Sequence, residues 1–138
     1  MKPNEKIRVV IIEDYHMTRS LLRIILRGEE FDVVGEAVDG ESGVAMCKKL
    51  MPDIILLDVV MPNLNGLEAL AEIHLNNPEA MVIMVSRLGD EEIVSQAMQA
   101  GANGYIVKPF NTASVIETMN EAREQFILRA PARRGKES

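Results

Sequence analysis

Unbroken apolar runs alternate along this chain with stretches in which apolar residues recur every three or four positions. Val9-Val10-Ile11-Ile12, Ile54-Ile55-Leu56-Leu57 and Met81-Val82-Ile83-Met84-Val85 are runs of the first kind. Each is too short for a helix and too apolar for a half-exposed strand, so each reads as a strand buried on both faces, as in a parallel sheet. Phe31 to Ala37 is more polar and suits an edge strand, and Tyr105-Ile106-Val107 makes a short fifth one. Between them lie the helical stretches. Met17, Leu21, Leu22, Ile25 and Leu26 stop at Gly28. Asp39-Gly40 opens a helix carrying Val44, Cys47, Leu50 and Met51 on one face, closed by Pro52. Leu67, Leu70 and Ile73 form a third stripe that ends near Asn76-Asn77-Pro78. Gly89-Asp90 begins a fourth helix with Ile93, Val94, Ala97 and Met98, ended by Gly101. Asn111 or Thr112 caps a fifth, bearing Val115, Ile116, Met119, Ala122 and Phe126. Strand then helix, five times over, predicts one parallel sheet with helices on both faces, an α/β fold.

Composition adds boundaries. A chain of 138 residues suits one domain with a sizeable core. Residues 1–6 read as an N-terminal extension, 7–128 as the domain, and 129–138, which lose all periodicity, as a disordered tail. No apolar run approaches the ~20 residues that span a bilayer, and no signal-type segment follows the N-terminus, so no membrane role and a cytoplasmic location are expected. A formal net charge of −6 argues against nucleic acid as a partner. The Arg133-Arg134-Gly135-Lys136 cluster reads as solvating. The single cysteine, Cys47, excludes an internal disulfide and sits at core spacing.

The candidate chemistry lies where the strands stop. Glu13-Asp14, Asp58, Ser86 and Lys108 each end or follow a predicted strand, and a parallel sheet brings those ends to one edge. Three carboxylates gathered there repel one another, which a hard divalent cation such as Mg2+ relieves. A carboxylate is also a competent phosphoryl acceptor through an acyl phosphate. Asp58 is then the nucleophile, Lys108 the point charge for phosphoryl oxygens and Ser86 a hydroxyl donor.

The acidic pair after strand one, Asp58-x-x-Met61-Pro62-x-x-x-Gly66 after strand three, Ser86 after strand four and Lys108-Pro109 after strand five together resemble the response-regulator receiver family. The resemblance covers about residues 7 to 128 and implies a flavodoxin-like fold of strand order 2-1-3-4-5. It further implies that Asp58 is phosphorylated by a histidine kinase or histidine phosphotransfer protein. Mg2+ is then held by Asp14, Asp58 and the Val60 carbonyl, with Glu13 acting mainly through water. Lys108 and Ser86 contact the phosphoryl group, and Tyr105 follows Ser86 inward as a switch that alters the face made by the fourth helix, fifth strand and fifth helix. A downstream effector protein and a phosphorylation-dependent homodimer are the partners it suggests, and a cis Lys108-Pro109 bond is expected on the same basis.

Some residues depart from that pattern or tempt a reading. Glu13 stands where Asp is usual. Arg87 stands where a small residue is usual and is expected to affect phosphoryl access or lifetime. Val60 and Leu88, two residues beyond Asp58 and Ser86, are apolar and cannot position a water, which predicts slow self-hydrolysis. His16 reads as a helix-start side chain and His74 as a surface residue of the third helix. The expected function is a stand-alone response regulator, a phosphoacceptor signalling protein and not an enzyme. The alternatives are a receiver piece of a DNA-binding regulator, a haloacid-dehalogenase-type phosphatase and a flavodoxin-type redox carrier. The phosphatase needs a second Asp where Val60 stands, and the carrier needs a phosphate-binding loop where Glu13-Asp14 would repel the phosphate.

Overall fold

The computed structural model describes residues 5–61 and 64–137, with side chains through residue 129. Residues 1–4 of the N-terminal extension, Pro62 and Asn63 of the motif after the third strand, and Ser138 lie outside it, as do the side chains of Arg133, Arg134 and Lys136. Strands and helices alternate throughout: β1 (Ile7–Ile12), α1 (His16–Arg27), β2 (Phe31–Ala37), α2 (Gly40–Leu50), β3 (Ile54–Asp58), α3 (Gly66–Asn76), β4 (Met81–Ser86), α4 (Glu91–Gln99), β5 (Gly104–Val107) and α5 (Thr112–Glu137). All pairings are parallel, in the order β2-β1-β3-β4-β5, which is the flavodoxin-like arrangement. The polar strand β2 is at one edge, as its composition predicts, while every residue of β3 and β4 is buried.

The side-chain alternation of each strand feeds two cores. Val9, Ile11, Ile54, Leu56, Ile83 and Val85 face α1 and α5, meeting Leu22, Leu26, Met119 and Phe126. Their neighbours Val10, Ile12, Ile55, Leu57, Val82 and Met84 face the other way, onto Val44, Leu70, Ile73 and Ala97 of α2, α3 and α4. Full burial of each such aliphatic side chain contributes about 1.5–3 kcal/mol. Two layers of them anchor the central strands from both sides.

Helix ends follow local chemistry. Asp39 caps α2 by accepting from the Ser42 amide at 2.8 Å, Asn65 caps α3 from Glu68 at 3.0 Å, and Asn111 accepts from Ser114 at 2.8 Å at the start of α5. After α4 the chain turns at Gly101 with φ +109, a conformation that favours glycine.

Three details differ from the sequence expectations. Met17 and Leu21 are exposed, because α1 turns Leu22 and Leu26 to the sheet instead. Met51 is exposed in the left-handed region (φ 47) as the C-cap of α2, rather than on its apolar face. His74 is half-buried, its Nε2 lying 3.0 Å from the Gly101 carbonyl, so it braces the α4–β5 turn instead of facing solvent freely. The backbone of α5 runs as helix to Glu137, while its apolar stripe ends at Phe126.

Cys47 is 2% exposed, and burial pushes its thiol up to about 12. The native protein is therefore expected to resist alkylation by iodoacetamide at mildly alkaline pH and to react fully in denaturant. Fast labelling of the folded chain, followed by intact mass, would contradict that burial.

Candidate functional site

The β-strand register decides which side chains meet. Ile12 pairs with Leu57, so Glu13 and Asp14 emerge beside Asp58; Asp58 pairs with Val85, and Ser86 with Val107, so Ser86 and Lys108 complete the row. The Lys108 amide donates to the Ser86 carbonyl at 2.8 Å and carries the β4–β5 ladder one step past β5. The Lys108-Pro109 bond is cis, as the resemblance implies. Glu13, Asp14 and Asp58 each offer a carboxylate oxygen within 4.8 Å of the others. They line a cleft of about 380 Å³ together with Ser86, Arg87 and Lys108.

Lys108 divides its charge unequally. Its Nζ lies 2.5 Å from Glu13 Oε1 but 3.5 Å from Asp58 Oδ2. The first is a tight charge-assisted hydrogen bond; the second is at the limit of one. Glu13 spends its other oxygen on the Tyr15 amide, 3.0 Å away. Both oxygens of this 2%-exposed carboxylate are thus engaged by the protein, which suits a supporting role. Asp58, 5% exposed, is held more loosely: its Oδ1 accepts from the Val60 amide at 3.2 Å. Partial desolvation raises the carboxyl of Asp14, at the exposed mouth, above its usual range; a hydrogen bond and the negative charge of Glu13 add to this, against lowering by its backbone hydrogen bond and by Lys108.

The loop after Asp58 is shaped by a glycine. The Gly66 amide donates to the Val59 carbonyl at 2.8 Å, and a Cβ on Gly66 would fall 2.3 Å from the Asp58 carbonyl oxygen. Only a residue without a side chain lets α3 start against the backbone of Asp58 itself.

Ser86 and Tyr105 meet at one intervening residue. Ser86 Oγ accepts from the Leu88 amide at 3.2 Å, and the Tyr105 hydroxyl donates to the Leu88 carbonyl. Tyr105 is half-buried against the α2–α4 core. Burial raises its hydroxyl above the usual value, with the charges of Asp58 and Asp90 adding and a Ser86 hydrogen bond opposing, so it remains a donor.

Of the residues singled out from sequence, Glu13, Asp14, Asp58, Val60, Ser86, Arg87 and Lys108 all border the cleft, and Tyr105 adjoins it through Leu88. His16 stands outside, its Nδ1 3.3 Å from Arg19. Two contributors carry no sequence signal of their own. Tyr15 lends a backbone amide to Glu13, and Arg19 reaches back to the Glu13 carbonyl at 2.9 Å.

The family model described as the response regulator receiver domain matches residues 9–120. The chain belongs to the response-regulator receiver family. It is 39% identical over 114 residues to the chemotaxis protein CheY of Thermotoga maritima, an alignment covering 83% of this chain and 95% of that one. A solved CheX–CheY–BeF3–Mg2+ complex from Borrelia burgdorferi is similar at a TM-score of 0.81 and 34% identity, over 83% of this chain and 87% of that one. The transcriptional regulatory protein DegU of Brevibacillus brevis is 37% identical over 83% of this chain but only 49% of its own length. The receiver is thus a two-component signalling domain, and in this one the family's acidic pocket is built from Glu13, Asp14 and Asp58. Among the described residues no helix is long and apolar enough to cross a membrane.

Proposed function

We propose that this chain is a stand-alone, cytoplasmic response regulator that takes a phosphoryl group onto Asp58 from the phosphohistidine of a kinase or phosphotransfer protein and then switches a protein-binding face. The observation that carries the reading is the convergence of Asp58, Lys108 and Ser86 with two further carboxylates in one open cleft. The donor set is all oxygen, drawn from two strand ends, with open space for water, and it suits Mg2+ better than a softer ion. Asp14, Asp58 and the Val60 carbonyl would hold the ion, with Glu13 behind them. The ion supplies charge neutralisation for a dianionic phosphoryl group approaching a carboxylate.

The side chains divide the work. An Asp58 oxygen forms the new P–O bond as the donor's P–N bond breaks, and the histidine ring nitrogen keeps the electron pair and takes a proton from solvent. Lys108, already placed 3.5 Å from Asp58, neutralises phosphoryl oxygens. Ser86 rotates to donate its hydroxyl to one of them, which carries Oγ away from the Leu88 amide it now accepts from and loosens the hold on the Leu88–Tyr105 pair. One or two charge-assisted hydrogen bonds at roughly 1.5–3 kcal/mol each can bias such a two-state element substantially. The readout face is that of α4, β5 and α5, where an effector protein or a second phosphorylated copy docks.

Similarity to CheY proteins along nearly their whole length favours a single-domain regulator, in which the chain is a phosphoacceptor and not an enzyme. The match to half of DegU favours the second reading, a receiver piece of a transcriptional regulator. Incubation with Mg2+ and acetyl phosphate, read by intact mass, tests the acceptor reading. A single Mg2+-dependent phosphoryl adduct supports it, and none with any donor rejects it. Because apolar Val60 and Leu88 border the cleft, that adduct is expected to decay over minutes. A lifetime of seconds would show that another group orients the hydrolytic water.

A further inference from the structure

Arg87 borders two cavities at once. It lines the acceptor cleft, and it also lines an adjoining cavity of about 480 Å³ walled by Tyr15, Leu21, Pro109 and Phe110. Its backbone is fixed at the end of β4 by the Ser86–Lys108 hydrogen bond, while its side chain is exposed. Charge makes the position notable. Glu13, Asp14 and Asp58 set three formal negative charges in the cleft against one positive charge, Lys108, which is committed to Glu13 at 2.5 Å. Among the described residues, the guanidinium of Arg87 has no carboxylate partner. A divalent cation would bring the cleft only to neutrality, so an arriving dianion still meets no net attraction from the groups inside.

We propose that Arg87 is the capture residue for the phosphoryl donor: a positioning cation at the cleft mouth that draws in donors carrying a dianionic phosphoryl group, acyl phosphates and phosphohistidine alike, and discriminates against donors of lower charge. This rests on the Asp58 acceptor reading and deepens it. A single cation facing a concave, low-dielectric wall raises the local concentration of an anion and the rate of its encounter. Arg87 exchanges no proton in the step. With acetyl phosphate, an Asp58 oxygen forms the O–P bond, the P–O bond to acetate breaks, and acetate leaves with the electron pair. The contribution is to arrival, so it appears in the second-order rate constant for phosphorylation and not in the decay of the product.

The test compares wild type, Arg87→Gln and Arg87→Lys with two small donors in Mg2+: acetyl phosphate, a dianion at neutral pH, and phosphoramidate, whose ammonium-like nitrogen leaves one net negative charge. Arg87→Gln is expected to slow acetyl phosphate roughly five- to tenfold and phosphoramidate much less, with Arg87→Lys close to wild type. The gap between donors should narrow at high ionic strength. A second readout is independent of turnover: the Arg87 Nε–H NMR signal of the Asp58→Asn protein should shift saturably on titration with acetyl phosphate. Equal effects on both donors, a faster reaction in Arg87→Gln, or an unshifted Nε–H signal would each overturn the proposal, the second showing that Arg87 obstructs the cleft. If wild type takes phosphoryl from neither donor, the acceptor reading has failed as well; if wild type reacts and Arg87→Gln matches it, only the capture role has.

Discussion

Asp58→Asn is expected to abolish Mg2+-dependent phosphorylation, leaving no adduct by intact mass where the wild type gains one phosphoryl group. The amide lacks the anionic oxygen that attacks phosphorus, and the loss should reach at least ~10³-fold, as when other covalent nucleophiles are removed. The substitution is close to isosteric, so it tests chemistry rather than folding. It also removes one of three carboxylates that lie within 4.8 Å of each other. The ion-free variant is therefore expected to melt at or above the wild-type temperature, because repulsion within the cluster falls. Stabilisation by added Mg2+ should shrink at the same time, since that gain depends on affinity for the folded site. An adduct of undiminished yield on Asp58→Asn would move the acceptor to another residue.

Gly66→Ala is expected to destabilise the protein by about 2 kcal/mol and to slow phosphoryl uptake together. The added Cβ would lie 2.3 Å from the Asp58 carbonyl oxygen and 2.5 Å from Val59 Cα. Both are backbone atoms, so no rotamer change can relieve the clash, and overpacking of this kind costs about 1–3 kcal/mol. The nearest displaced atom belongs to Asp58, the proposed acceptor, which links the stability loss to the site. Gly28→Ala is the control: a Cβ there meets nothing within 4 Å, and its effect should stay within about 0.5 kcal/mol. Urea unfolding of both variants separates the cases, and a neutral Gly66→Ala would show that the loop after β3 gives way more easily than its contacts indicate.

Much of this architecture is legible in the residue order. The unbroken apolar runs of β1, β3 and β4 have no other economical reading than strands covered on both faces, and polar β2 falls at the edge as its composition requires. Asp39, Asn65 and Asn111 cap their helices by local chemistry that needs no tertiary context. Strand ends sharing one sheet edge bring Glu13, Asp14, Asp58, Ser86 and Lys108 together. What sequence could not supply is the partition of contacts among them. The preference of Lys108 for Glu13 over Asp58 joins residues 95 positions apart and depends on an ångström of side-chain placement. The His74 brace on Gly101 and the outward turn of Met17 and Leu21 are likewise settled by tertiary packing, because helical periodicity locates a stripe without fixing which of its borders faces the sheet.

The burial of β3 and β4 has a mechanical consequence. Asp58 and Ser86 are the final residues of strands paired on both sides and covered on both faces, so each is mounted on backbone held from four directions. Immediately after Ser86 the chain becomes exposed at Arg87 and then runs through a glycine at 89 before α4 begins. Leu88, between them, is held at its amide by Ser86 Oγ and at its carbonyl by the Tyr105 hydroxyl. On the proposed reading, a charge added at Asp58 would meet an unyielding mount in β3 and β4. Its effect would then be felt where Ser86 and Tyr105 share Leu88, at the threshold of α4. The sheet would act as an anvil, and the exchange of hydrogen bonds at Leu88 as the moving part.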